Sequence, residues 1–161
     1  MTVTADRPQM LVTEFEELAR HAARSTEGAR LEFINGHLGG KAVPDGDHGR
    51  VIQWLTRICM RHRPDLWLDP TQGLAVDAYR EGRARPDGSL APAEAFVGQG
   101  EWADPAPVLM VVEVISYDSD TSAPDGGRYE TVRTLPFGKE VALPEPVGIT
   151  LDTEPLKSWV R

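Results

Sequence analysis

The run Leu109-Met110-Val111-Val112-Glu113-Val114-Ile115-Ser116 constrains this chain more than any other stretch. All of it except Glu113 suits the middle of a sheet buried on both faces. Burying a lone ionised carboxylate costs on the order of several kcal/mol, so Glu113 is expected to be neutralised, paired or bound to a cation. The alternative is a Glu on the solvent face of an edge strand. Val112 and Val114 flank it with no alternation of polarity, which favours the buried reading. What Glu113 meets is then the question for the rest of the chain.

A length of 161 residues fits a single domain over 1–161 with room for a real core. The net charge of -8 argues against non-specific nucleic-acid binding through bulk electrostatics, though a local basic groove is compatible with it. Cys59 is the only cysteine, so no internal disulfide forms and a reducing cytoplasm is the natural setting. No run has the apolar character of a signal peptide or a membrane span, and a cytosolic protein is expected.

Residues 1–11 read as a loose leader. Thr13-Glu14-Phe15-Glu16 has the form of a capping box, and Phe15, Leu18, Ala19, Ala22 and Ala23 follow at helical spacing up to Gly28. Asn35-Gly36 between the short apolar runs around Phe33 and Leu38 predicts a two-residue hairpin, which puts Glu32 on a strand just before a tight turn. Pro44 to Gly49 forms a turn into a second helix, capped by Asp45 or Asp47. Val51, Ile52, Leu55, Ile58 and Cys59 form its apolar stripe, with Arg50, Gln53, Arg57 and Arg61 outside it. His48 opens this helix. The acidic residues around it match no established metal-ligand spacing, and capping already accounts for one of them.

Leu66-Trp67-Leu68 begins a strand-rich region. Gly73 to Tyr79 alternates, Glu81-Gly82 turns, and Arg83 to Leu90 is expected to run back as one strand with an edge or bulge at Pro86. Pro92 to Pro107 is a long loop with Trp102 as its anchor, and the Glu113 run follows. Glu32, Asp87 and Glu113 thus come from separate strands. Convergent carboxylates on neighbouring strands suit a hard divalent cation held through oxygen, and such an ion polarises a phosphodiester and activates water.

Taken in order, Leu31-Glu32-Phe33-Ile34-Asn35-Gly36, His48 opening a helix, Arg85-Pro86-Asp87-Gly88 and Val112-Glu113-Val114-Ile115-Ser116 resemble the Uma family of bacterial proteins. That family is assigned to the restriction-endonuclease-like PD-(D/E)xK superfamily. The resemblance spans nearly all of residues 10–120, and Leu143 to Leu156 is similar to the end of actinobacterial members. It implies an α/β (α+β) fold: a restriction-endonuclease-like core with a central mixed sheet flanked by helices. It also implies that Asp87 and Glu113 bind Mg²⁺ or Mn²⁺, with Glu32 as a supporting catalytic carboxylate and His48 and Arg85 as further candidates. The implied activity is hydrolysis of nucleic-acid phosphodiesters, with DNA as the expected partner and no membrane.

The chain departs from this pattern after Ser116. The superfamily's lysine, usually two residues past the second acidic residue, is replaced by Ile115. In similar proteins it looks to have moved to a helix that follows this strand. Here residues 117–127 are turn formers, and Arg128 to Arg133 reads as an outer strand. A helix–strand unit on the order of 30 residues is missing by this reading. Lys41, Lys139 and Lys157 are the only lysines, and none stands where the family has one.

Hydrolysis is therefore expected to be impaired unless Arg50, Arg57 or Arg85 supplies a replacement cation, and arginine is a poor general base. Arg57, Arg61, His62 and Arg63, together with Arg80, Arg83 and Arg85, are candidates for a local basic groove. The sheet edge beside the Glu113 run would need a cover, which a homodimer could provide by strand addition. Asp118 and Asp120 are alternative ligands, although an exposed acidic turn explains them as well. The competing function is a non-catalytic remnant that binds nucleic acid or protein. A serine hydrolase built on Ser116 is rejected for want of a nucleophile elbow.

Overall fold

Apolar periodicity sets both helices, and the turn residues set most of the strand boundaries. The computed structural model describes residues 8–26, 28–41, 43–79, 81–115 and 132–159. They belong to two compact units. One comprises Met1–Val43, Thr71–Pro86 and Phe96–Ala106; the other comprises Pro44–Pro70, Asp87–Ala95 and Pro107–Arg161.

The first unit is built on helix α1 (Val12–Ser25) and a five-stranded sheet. Phe15 and Ala19 form the buried face of α1, and Phe15 stacks on Phe33 at 5.2 Å between ring centroids. The expected capping box at Thr13 is displaced. Leu11 is the N-cap, and Glu14 accepts its backbone N–H at 2.8 Å. Glu16 instead pairs with Arg83 at 2.6 Å, because the helix turns it toward the sheet once Phe15 and Ala19 are buried. Of the expected leader, residues 1–7 lie outside the described residues, and Gln9 is tied to the first hairpin. Gln9 donates to the Gly36 carbonyl at 2.7 Å and its side chain accepts from Leu38 N at 2.7 Å.

Strands β1 (Arg30–Ile34) and β2 (His37–Lys41) form the expected hairpin, with Asn35 at φ 52° and Gly36 at φ 86°. The sheet continues through β4 (Gly73–Val76), β5 (Gly82–Ala84) and β7 (Trp102–Ala103) in the order β2-β1-β5-β4-β7. Only the β4–β7 pairing is parallel, so the sheet is mixed. Gly73 makes that pairing possible, since a Cβ there would lie 2.5 Å from the Glu101 carbonyl oxygen and 2.6 Å from the Trp102 ring. Trp102 anchors its loop as expected, packing 5.7 Å from Phe15 between ring centroids.

The second unit packs helix α2 (Gly46–His62) on a three-stranded antiparallel sheet. Its strands are β3 (Leu66–Asp69), β6 (Gly88–Pro92) and β8 (Met110–Val112), in the order β3-β6-β8. Ile52, Leu55 and Cys59 form the buried stripe of α2. Leu55 and Cys59 pack with Leu66, Leu68 and Leu90. The same core takes Val147, Ile149 and Leu151 from the hairpin of β9 (Glu140–Ala142) and β10 (Thr150–Asp152).

Two expectations are corrected here. Arg83 to Leu90 is two strands in two sheets, β5 and β6, because Pro86 has no N–H for a ladder and the Arg85 N–H goes to a side chain. The Glu113 run is not doubly buried. Among the described residues β8 is the edge of its sheet, and Val111, Glu113 and Ile115 are exposed in alternation with half-buried Val112 and Val114. Tight pairing of this run to β6 on one side alone accounts for the apolar, non-alternating sequence misleading the reading. Ser116, Asp118, Asp120, the loop 117–127 where a helix–strand unit was expected to be missing, and Arg128 to Thr131 lie outside the described residues. No helix among the described residues is long and apolar enough to cross a membrane.

Candidate functional site

In the second unit, Asp45 caps α2 by accepting the His48 backbone N–H at 2.8 Å, which settles the choice between Asp45 and Asp47. The cap fixes the third residue of the first turn, and His48 projects from there to Asp87. Its Nε2 lies 3.0 Å from Asp87 Oδ2. An ionised carboxylate only accepts, so the imidazole donates. Asp87 is 7% exposed, which makes it one of few buried charged side chains in the described chain.

The same oxygen accepts the Val114 backbone N–H at 2.8 Å. Antiparallel pairing sets this up: Gly88 lies opposite Val112, so the next residues outward are Asp87 and Glu113. Glu113 thus sits between a residue paired to β6 and a residue bonded to Asp87, with its own side chain exposed. His48 meets Asp87 at one end of the β6–β8 ladder, and the register places Glu113 in the backbone position opposite Asp87. Neither the Val114 amide nor the choice of oxygen had a signal in the sequence.

Further along β6, Asp69, Ser89 and Val111 form one row across the sheet. Ser89 is fully buried, and its hydroxyl has no hydrogen-bond partner among the described residues. Burial pushes the Asp69 carboxyl above its ordinary range. Polar groups left in this condition two residues from Asp87 are unusual in a packed sheet.

Glu32 and Arg85 belong to the first unit. Glu32 Oε1 accepts the Arg85 backbone N–H at 2.5 Å. The Arg85 guanidinium pairs with Glu101 and lies 4.2 Å from the Trp102 ring centroid, so its charge is already engaged. The lysines offer no obvious substitute. Lys157 pairs with Glu154 at 2.8 Å, and Lys139 leads into β9.

Among the described residues, no three His, Cys, Asp or Glu side chains form a group able to hold a metal ion by themselves. That is compatible with Mg²⁺, which is usually held by one or two carboxylates while water and substrate phosphate complete its octahedron. The donor set of Asp87 and Glu113 fits this habit. A zinc-type cage of nitrogen and sulfur ligands does not fit it.

The mixed α+β arrangement is shared with a solved structure. The crystal structure of a putative nuclease belonging to DUF820 from Anabaena variabilis ATCC 29413 matches it with a TM-score of 0.62, at 15% identity, over 93% of this chain and 98% of that one. A family model described as "putative restriction endonuclease", Uma2, matches residues 12–123. The chain belongs to the Uma2 family. No curated protein matches it.

Proposed function

We propose that this protein is a metal-dependent endonuclease acting on nucleic-acid phosphodiesters, with Asp87 and Glu113 as the carboxylates that hold Mg²⁺ or Mn²⁺. The observation that carries the proposal is the buried Asp87 carboxylate, fixed by His48 and by the Val114 amide at the strand end that also bears Glu113. A divalent ion there supplies polarisation of the phosphodiester and a more acidic water. His48 orients Asp87, and the Asp45 cap orients His48. Glu113 is solvent-facing, as a ligand shared with substrate must be. Glu32 holds the backbone of Arg85 within the first unit.

The absent lysine favours a second reading, a folded remnant that binds nucleic acid or protein without cutting. One experiment separates the two: cleavage of supercoiled and single-stranded DNA in Mg²⁺ and in Mn²⁺, beside Glu113→Ala. Cutting that the variant abolishes supports the enzyme. No cutting above that of a folded variant leaves the binding module. A cytoplasmic setting, in keeping with the single cysteine, and a homodimer paired through β8 are further proposals, the latter tested by light scattering.

A further inference from the structure

The solvent side of α2 carries a line of arginines that the proposed chemistry does not use. Arg50, Arg57 and Arg61 recur at i, i+7 and i+11, opposite the buried stripe of Ile52, Leu55 and Cys59, while Trp54 between them is half-buried against the core. Arg50, Arg57 and Arg61 are exposed. At about 1.5 Å per residue they span roughly 16 Å of helix. The helix contains one carboxylate, Asp47, in its first turn.

Aromatic rings interleave with the charge. Trp54 meets Trp159 edge to face at 6.4 Å, and the Arg50 guanidinium lies 5.9 Å from the Trp159 ring centroid. Two other basic candidates from the sequence are occupied. Arg63 pairs with Asp65 at 2.7 Å and donates to the Pro146 and Val147 carbonyls, and Arg83 pairs with Glu16. Arg57 and Arg61 have no ion pair among the described residues.

We propose that the Arg50–Arg57–Arg61 line of α2, with the Trp54–Trp159 pair, is a surface that binds the phosphate backbone of DNA. The proposal rests on the nuclease reading above and names where its substrate is gripped. Charge complementarity selects the occupant. A chain of net charge -8 repels a polyanion overall, so attraction has to be local, and this is a run of uncompensated positive charge on one rigid element. Planar guanidinium groups suit phosphate, and the flanking rings suit a stacked base.

The test is anisotropy of a labelled DNA duplex bound in EDTA, so that no cleavage occurs, across about 50–200 mM salt. Each phosphate contact contributes roughly -0.9 to the slope of log K against log salt. Arg57→Gln combined with Arg61→Gln is expected to reduce that slope by about two and to weaken unrelated sequences equally. Arg20→Gln with Arg24→Gln on α1 makes the same charge change elsewhere and should leave the slope intact. Gln keeps helix propensity, and circular dichroism verifies folding.

An unchanged slope in the α2 variant overturns the proposal, as does an equal change in the α1 variant. Native protein that binds polyglutamate and not DNA overturns it too, and points to an acidic protein partner. Because binding is read without metal, DNA cutting with an unaltered slope removes this surface and leaves Asp87 and Glu113 in place.

Discussion

Removing the Asp87 carboxylate should destabilise the protein. A carboxylate kept only for function would behave oppositely, since deleting a buried charge relieves its desolvation. Here Asp87→Ala takes the acceptor away from both His48 Nε2 and the Val114 amide. A buried donor left without a partner costs about 1–3 kcal/mol. The His48 side chain is 17% exposed and Val114 is half-buried, so water compensates in part. A total loss of about 1–3 kcal/mol is expected, which for a chain of this size lowers Tm by about 2–4 °C per kcal/mol. Asp87→Asn keeps one acceptor oxygen and should lose less. Urea and thermal melts followed by circular dichroism measure both. A double-mutant cycle with His48→Ala should return a coupling of about 0.5–3 kcal/mol. A variant as stable as the native protein, or a coupling near zero, would refute the geometry.

Four further outcomes follow from the packing. Leu90→Ala, at a fully buried position of β6, should cost about 2–5 kcal/mol in a denaturant melt. Gly36→Ala forces a Cβ to 2.7 Å from Pro8 at a positive φ, and should cost more than about 1 kcal/mol in the same assay. The Asp69 carboxyl is raised by burial, so the stability it contributes is full below its unfolded value near 3.8 and is lost as pH rises through the folded value. Asp69→Asn should therefore stabilise the protein at neutral pH and do nothing in acid, and equal melts across pH 3–8 would contradict that. Cys59 is buried with its thiol pKa raised, so native protein should resist alkylation until denaturant opens the core.

Where local chemistry dictates geometry, the chain was readable in advance. Asn35-Gly36 demanded a tight hairpin, the α2 stripe demanded a buried face, and both are present. The Glu113 run misled because apolar composition does not distinguish an edge strand pinned on one side from a central one. Pro86 marked a break, but nothing local says that the strands on its two sides join different sheets. The residue types of the site were legible as Asp87, Glu113 and His48. The contact of His48 with Asp87 was not, because it depends on where β6 begins and on a cap at Asp45 that aims His48. The Val114 amide has no side-chain signature at all.

Cleavage depends on the proposed metal site and on a cation to replace lysine together, so metal binding tests the central claim most directly. Calorimetric titration of Mn²⁺ into native protein, Asp87→Asn and Glu113→Ala reads the two carboxylates alone. Saturable binding to the native protein that either substitution weakens by tenfold or more is the expected result. Absence of binding, or binding that both variants retain unchanged, would contradict the assignment of Asp87 and Glu113 as the metal-holding pair.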